Sequence, residues 1–254
     1  MEFTHRQQRE AFHILFLESL LGRMDPSLFV LKGGLNLRFF FGSPRFSEDM
    51  DIDVLGSSVE TLRRNGYRVL DDRGFRRSLG AFGISELLVN DPARAKHTAT
   101  TQRFRVRLVT TAGETWPTKV EFSRRGDGGT FRADPISPDV VRAYKRLTLP
   151  CQHYDAGSTV LQKLAALAGR REPQTRDAFD LYVLWLGGHW DETAPRGLGP
   201  DTRSLAVENL LGFSYADYRG QVLDYLEPET LSQFAGEERW RMLVETVYGL
   251  VEET

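Results

Sequence analysis

Residues 30–54 read Val-Leu-Lys-Gly-Gly-Leu-Asn-Leu-Arg-Phe-Phe-Phe-Gly-Ser-Pro-Arg-Phe-Ser-Glu-Asp-Met-Asp-Ile-Asp-Val. An apolar lead-in over residues 28–31 predicts a short strand. It runs into Lys32, Gly33 and Gly34, where two glycines let backbone N–H groups approach an anion and a helix start adds a favourable dipole. Leu35 to Phe41 predicts an apolar helix, broken by Gly42, Ser43 and Pro44. Residues 45–54 alternate as a strand, with Asp49, Asp51 and Asp53 on one face and Met50, Ile52 and Val54 on the other. Three carboxylates on one strand face repel one another, and Asp disfavours strands. A cation offsets that cost. Mg²⁺ is the natural choice, because it takes a few carboxylates together with phosphate oxygens. The stretch therefore has the parts of a nucleotide site: a glycine turn for phosphate and an aspartate pair for metal. The competing reading is a solvated edge strand after a glycine turn.

Outward from this stretch, residues 4–22 predict an amphipathic helix with Thr4 as N-cap and Phe12, Leu15, Phe16 and Leu20 at helical spacing. Residues 59–65 read as a short helix ending at Gly66, and 67–70 as a strand. Residues 71–98 show no clear period. Residues 102–109 alternate, with Arg103, Arg105 and Arg107 opposite Phe104, Val106 and Leu108. Residues 119–123 form a third strand with Lys119 and Glu121 on one face. A loop is expected over 126–138, with a helix starting at Ser137-Pro138. The expected organisation is α+β: a mixed-sheet lobe with flanking helices over 1–135 and an all-helical lobe over 136–254. In the second lobe Ser158 is read as the cap of a helix carrying Lys163. A further helix opens at Thr175 with Asp177 and Asp180 three apart on one face. Later helices are expected near 202–211, 215–226 and 237–251, with Leu205, Leu210, Tyr218, Leu223, Trp240, Leu243, Val247 and Leu250 as core.

Composition narrows the function classes. Hydrophobic residues make up 41% and charged residues 27% of the 254, which is an ordinary folded composition. A formal net charge of −2 leaves nucleic-acid contact to local basic patches, such as Arg103, Arg105 and Arg107. The single cysteine, Cys151, excludes an internal disulfide and a cysteine-rich zinc site. No apolar run reaches the ~18 residues of a membrane span, and no signal peptide is visible. A reducing cytoplasm is the expected location.

Lys-Gly-Gly-Leu followed by Arg-x-Ser-x-Asp-x-Asp (Arg45, Ser47, Asp49, Asp51) resembles the AbiEii/AbiGii toxin family, nucleotidyltransferase-like toxins of type IV toxin–antitoxin and phage-defence systems. Lys-Leu-x-Ala-Leu at Lys163, then Arg-Asp-x-x-Asp-Leu at Asp177 and Asp180, resembles that family's later motifs. The resemblance covers about residues 28–186. It implies a nucleotidyltransferase β fold, a nucleoside triphosphate with Mg²⁺ bound between two lobes, transfer to an RNA acceptor (for some relatives the tRNA 3′ end), and a cognate antitoxin. Asp49 and Asp51 would hold metal. Glu121, where the wider fold more often carries Asp, would act as base or third ligand; its alternative is an exposed strand Glu paired to a nearby Arg. Lys32, Gly33, Gly34, Arg45 and Ser47 would line the nucleotide site. Lys163 would hold the triphosphate, and Asp177 or Asp180 would support catalysis. The same carboxylates also suit a kinase-like phosphotransferase, a protein-modifying enzyme, a silent nucleotide- or RNA-binding module, or a protein-only interaction surface.

Overall fold

Thr4 caps the first helix in both directions. Its hydroxyl accepts from the Gln7 backbone N–H, and the Gln7 side chain accepts from the Thr4 N–H, satisfying donors that a helix start leaves open. The computed structural model describes residues 3–91, 97–126 and 128–252. Its elements are α1 (His5–Leu21), β1 (Phe29–Lys32), α2 (Gly33–Phe40), β2 (Met50–Val54), α3 (Val59–Asp71), α4 (Arg73–Leu79), β3 (Ile84–Val89), β4 (Thr101–Thr110), β5 (Thr115–Ser123), β6 (Phe131–Pro135), α5 (Pro138–Ala143), β7 (Pro150–Tyr154), α6 (Ala156–Gly169), α7 (Thr175–Leu186), α8 (Pro200–Leu211), α9 (Tyr215–Gln221), α10 (Leu231–Phe234) and α11 (Glu237–Glu252). Two compact units result. One comprises Met1–Asn36, Phe46–Gly126 and Arg132–His153; the other comprises Leu37–Arg45, Asp127–Phe131 and Tyr154–Thr254. The main changeover lies at residues 153 and 154, later in the chain than the expected boundary near 135.

The first unit is built on a seven-stranded mixed sheet ordered β3-β4-β5-β2-β1-β7-β6. β1 and β2 are antiparallel, β2 and β5 parallel, and β4 antiparallel to β5. Alternation sorts the side chains. Met50, Ile52, Phe104, Val106, Leu108, Val120 and Phe122 are buried on one face, where α1, α3 and α4 pack. The charged residues of β2, β4 and β5 point the other way, so the face opposite the core is the one available for chemistry.

Several expectations change here. The strand expected over 45–54 pairs only from Met50 onward; Arg45 instead makes an isolated bridge with Leu226. Gly66 does not end a helix. It lies inside α3, because a Cβ there would meet the Phe104 ring at 2.4 Å. Glycine is needed for close approach, and 67–70 is helix rather than strand. The unreadable stretch holds α4 and β3, with residues 92–96 outside the described ones. The expected loop over 126–138 contains β6, and the span expected to be helical contains β7, which joins β1 in parallel through Leu31 and His153. Short strands of five residues leave too little pattern to read.

The second unit packs α6, α7, α8, α9 and α11 around one apolar cluster that includes Val160, Leu164, Phe179, Tyr218, Trp240 and Val247. Tyr218 and Trp240 stack with centroids 4.7 Å apart. Asp155, not Ser158, caps α6: its carboxylate accepts from the Ser158 N–H at 2.8 Å. Leu205 is exposed rather than core. Among the described residues no helix is long and apolar enough to cross a membrane.

Candidate active site

Strand register builds a charged row across the outer face of the first unit's sheet. Lys32 pairs in register with Asp51, Asp51 with Glu121, and Glu121 with Arg103. The row therefore reads positive, negative, negative, positive. One step along, Asp49 meets Lys119, whose backbone N–H donates to Oδ1 and whose ammonium donates to Oδ2, both at 3.1 Å. The two motif aspartates thus come to one face beside a cation that strand spacing had placed there with Glu121.

The segment carrying Asp49 is pinned from below. The Ser47 hydroxyl donates to the Asp49 carbonyl at 2.9 Å, and the Thr118 hydroxyl donates to the Glu48 carbonyl at 2.7 Å. His13, fully buried on α1, lies 2.8 Å from the same Thr118 oxygen through Nε2. Thr118 spends its proton on Glu48, so His13 is the donor. Burial, helped by the nearby Arg9 charge, pushes the His13 pKa down to about 3. The ring is therefore neutral and its donor role constant across physiological pH. Arg9 completes the support, donating to the Pro117 carbonyl at 3.0 Å.

Asp51 differs from its neighbours. It is half-buried and makes no hydrogen bond or direct ion pair among the described residues. A Cβ on Gly33 would stand 3.1 Å from its Oδ2, and Gly33 adopts φ +68°. The positive φ favours glycine there, and a Cβ would also crowd the carboxylate. Burial pushes the Asp51 carboxyl above the usual carboxylate range, with Asp49 and Glu121 adding to the rise and Lys119 and Lys32 opposing it. Asp53, the third carboxylate of the strand, is buried and ion-paired to Lys32 at 2.7 Å. It anchors the lysine of the glycine turn.

These residues fit a divalent cation. A half-buried carboxylate without a partner, next to a second carboxylate and facing a glycine turn, is electrostatically short of positive charge. No group of three metal-ligating side chains assembles among the described residues, and Glu121 is engaged by Arg103 at 2.6 Å. Mg²⁺ needs only one or two carboxylates when phosphate and water complete its shell.

The later motif forms a different object inside the second unit. Lys163 of α6 lies 3.2 Å from Asp177 Oδ1 and 2.6 Å from Asp180 Oδ2, both carboxylates on α7. Arg45 holds Asp180 through Nε and Nη2, with contacts of 2.9 to 3.2 Å. Arg170 holds Asp177 at 2.6 Å. Asp177 and Asp180 are fully buried, and Lys163 and Arg45 nearly so. Burial alone would raise the Asp177 pKa, but the charges of Lys163 and Arg170 and their hydrogen bonds outweigh it and hold the carboxyl below its usual range.

Of the residues the sequence singled out, Lys32, Gly33, Gly34, Ser47, Asp49, Asp51 and Glu121 belong to the first unit, and Arg45, Lys163, Asp177 and Asp180 to the second. Sequence reasoning missed His13 and Thr118. Arg103 and Lys119 were visible as same-face strand residues; the alternative reading of Glu121 as a strand glutamate paired to a nearby Arg is met by Arg103, whereas the Lys119–Asp49 pair was not foreseen.

The family model described as nucleotidyl transferase AbiEii toxin, type IV toxin–antitoxin system, matches residues 16–247. No curated protein matches. Among solved structures, JHP933 from Helicobacter pylori superposes with TM-score 0.59 at 17% identity, covering 99% of this chain and 96% of that one. The nucleotidyltransferase toxin MenT4 from Mycobacterium tuberculosis gives TM-score 0.57 at 19% identity, covering 97% and 86%. At these identities the likeness is one of fold.

Proposed function

The chain belongs to the AbiEii nucleotidyltransferase toxin family of type IV toxin–antitoxin systems, and from that premise we propose that it transfers a nucleotidyl group from a nucleoside triphosphate to an RNA acceptor, with Mg²⁺. It is a nucleotidyltransferase, and its family implies a nucleotide substrate and an antitoxin partner. The observation that carries the finer reading is Asp51: a carboxylate left without a partner beside Asp49, against the glycine turn.

In this reading Asp49 and Asp51 hold the metal ion, which when bound supplies charge stabilisation for the triphosphate. Lys119 keeps Asp49 oriented, and the His13–Thr118–Glu48 chain keeps its backbone in place. Lys32 and the Gly33–Gly34 amides steady the triphosphate. The acceptor hydroxyl oxygen bonds to the α-phosphorus, and the bond to pyrophosphate breaks. The hydroxyl proton passes to Oε1 of Glu121, the neighbour of Asp51 in register, since Arg103 engages Oε2. Lys163, Asp177, Asp180 and Arg45 contribute through the ion network that orders their helices. A direct hold on the triphosphate would require Lys163 to leave both carboxylates. The tRNA 3′ end is the proposed acceptor, on the family resemblance.

The test is incubation of the purified protein with total RNA, Mg²⁺ and each nucleoside triphosphate radiolabelled at the α-phosphate. Label in a discrete RNA band is expected and would identify nucleotide and acceptor size together. Label in protein instead would make this a protein-modifying enzyme. No label anywhere, with nucleotide-dependent thermal stabilisation, would replace the reading with γ-phosphoryl transfer or a binding module.

A further inference from the structure

A cleft of about 560 Å³ opens on the outer face of the first unit, and Asp49 lies on its lining. Leu88 of β3, 37% exposed, and Pro117 of β5 lie in register on either side of Arg107, and Val89 also lines the cleft. The cleft's free cations are Arg105 and Arg107 of β4. They are two residues apart on one face, roughly 7 Å by strand rise. Both are exposed, and neither has a carboxylate partner among the described residues. Three other cations of this face are engaged: Arg103 by Glu121, Lys119 by Asp49, Lys32 by Asp53. Glu48, also on the lining, lies 3.6 Å from Arg9. The rim is fixed by a reciprocal pair: the Arg105 N–H donates to Asn90 Oδ1 at 2.9 Å, and the Asn90 N–H donates to the Arg105 carbonyl at 3.0 Å.

We propose that this cleft binds the single-stranded 3′ end of the acceptor, with Arg105 and Arg107 on consecutive phosphates and the terminal nucleoside against Leu88, Val89 and Pro117. The inference rests on the reading of Asp49 and Asp51 as the transfer site. Three features select a single strand. The volume lies in the range of small-ligand sites and suits one nucleoside. Two unpaired guanidiniums at strand spacing suit a backbone and carry no base code. The apolar side chains of Leu88 and Pro117 accept the face of any base. Binding is therefore tolerant of sequence at the penultimate phosphates.

The experiment measures binding of a 5′-fluorescein octaribonucleotide to the full chain by anisotropy, without nucleoside triphosphate, across a salt series. A parallel measurement takes KM for RNA and for nucleoside triphosphate. Arg105→Ala/Arg107→Ala is expected to weaken binding roughly tenfold or more and to lower the salt slope by about 1.4, the value for two single-strand phosphate contacts. KM for the triphosphate should be unchanged. Arg105→Lys/Arg107→Lys should keep the slope, which separates charge from folding. Leu88→Ser should weaken binding with little change in slope. Equal binding by wild type and the alanine pair would overturn the proposal. So would a raised KM for the triphosphate with RNA binding unchanged, which would give the cleft to the nucleotide. Absence of oligonucleotide binding by the wild type would also overturn it. Because the binding arm needs no turnover, its failure is distinct from failure of label transfer, which would overturn the reading of the transfer site.

Discussion

Two carboxylate clusters, both built from motif residues, behave in opposite ways. On the first unit's sheet, Asp51 is left without a partner among the described residues, and burial, with Asp49 and Glu121 nearby, pushes its carboxyl up. In the second unit, Asp177 and Asp180 are more deeply buried yet fully engaged by Lys163, Arg45 and Arg170, and Asp177 is held down. An aspartate that would gain from a cation and one that has already found its cations are different devices. The first is poised for a ligand. The second fixes α6 to α7 and Arg45 to α7.

The contrast can be broken by substitution. The largest effect is expected from Asp51→Asn. Label transfer should fall by roughly a thousandfold or more, as for loss of several kcal/mol of transition-state stabilisation, while Tm stays level or rises because a costly buried charge is gone. Asp177→Asn should do the reverse to stability. Removing one member of a buried ion network costs about 3–5 kcal/mol, a drop in Tm of roughly 10 °C, visible in thermal denaturation with or without nucleotide. A smaller effect is expected at the support of Asp49. Thr118→Val strands the Glu48 carbonyl and the His13 N–H and should lower kcat about tenfold with KM for nucleotide unchanged, whereas Thr118→Ser should retain most activity.

The pH response sharpens the comparison further. Asp177 is depressed, so the stability it confers is present above the usual aspartate range and lost as pH falls through its lowered value. Denaturation midpoints in Asp177→Asn should therefore fall less steeply on acidification than in the wild type. His13 works in a neighbouring window. Its ordinary value of 6.5 drops to about 3 in the fold, so the unfolded chain takes up the proton first and stability declines as pH falls from 6.5 toward 3. His13→Gln, which keeps a donor near Thr118, should flatten the upper part of that decline.

Much of the first cluster was legible because its signal is local. Period-two alternation put Asp49 and Asp51 on one face, and the glycine pair marked the turn that faces them. Alternation also put Asp53 there, and it could not separate Asp53 from Asp51: the difference is that Lys32 reaches Asp53, a matter of strand pairing. His13 was out of reach for the same reason, since it meets Thr118 across 105 residues. Gly66 read as a helix end because the Phe104 ring that demands a glycine belongs to another strand. In the second unit, spacing correctly joined Asp177 and Asp180 on one helix face. It did not show that Arg45, four residues before Asp49, is spent on Asp180.

The most direct test of the difference between the clusters is Asp51→Asn assayed for transfer of an α-phosphate label to RNA and, on the same sample, for Tm. Transfer should be lost while the fold stays as stable as the wild type. Transfer retained, or lost together with a Tm collapse like that of Asp177→Asn, would remove Asp51 from the transfer site.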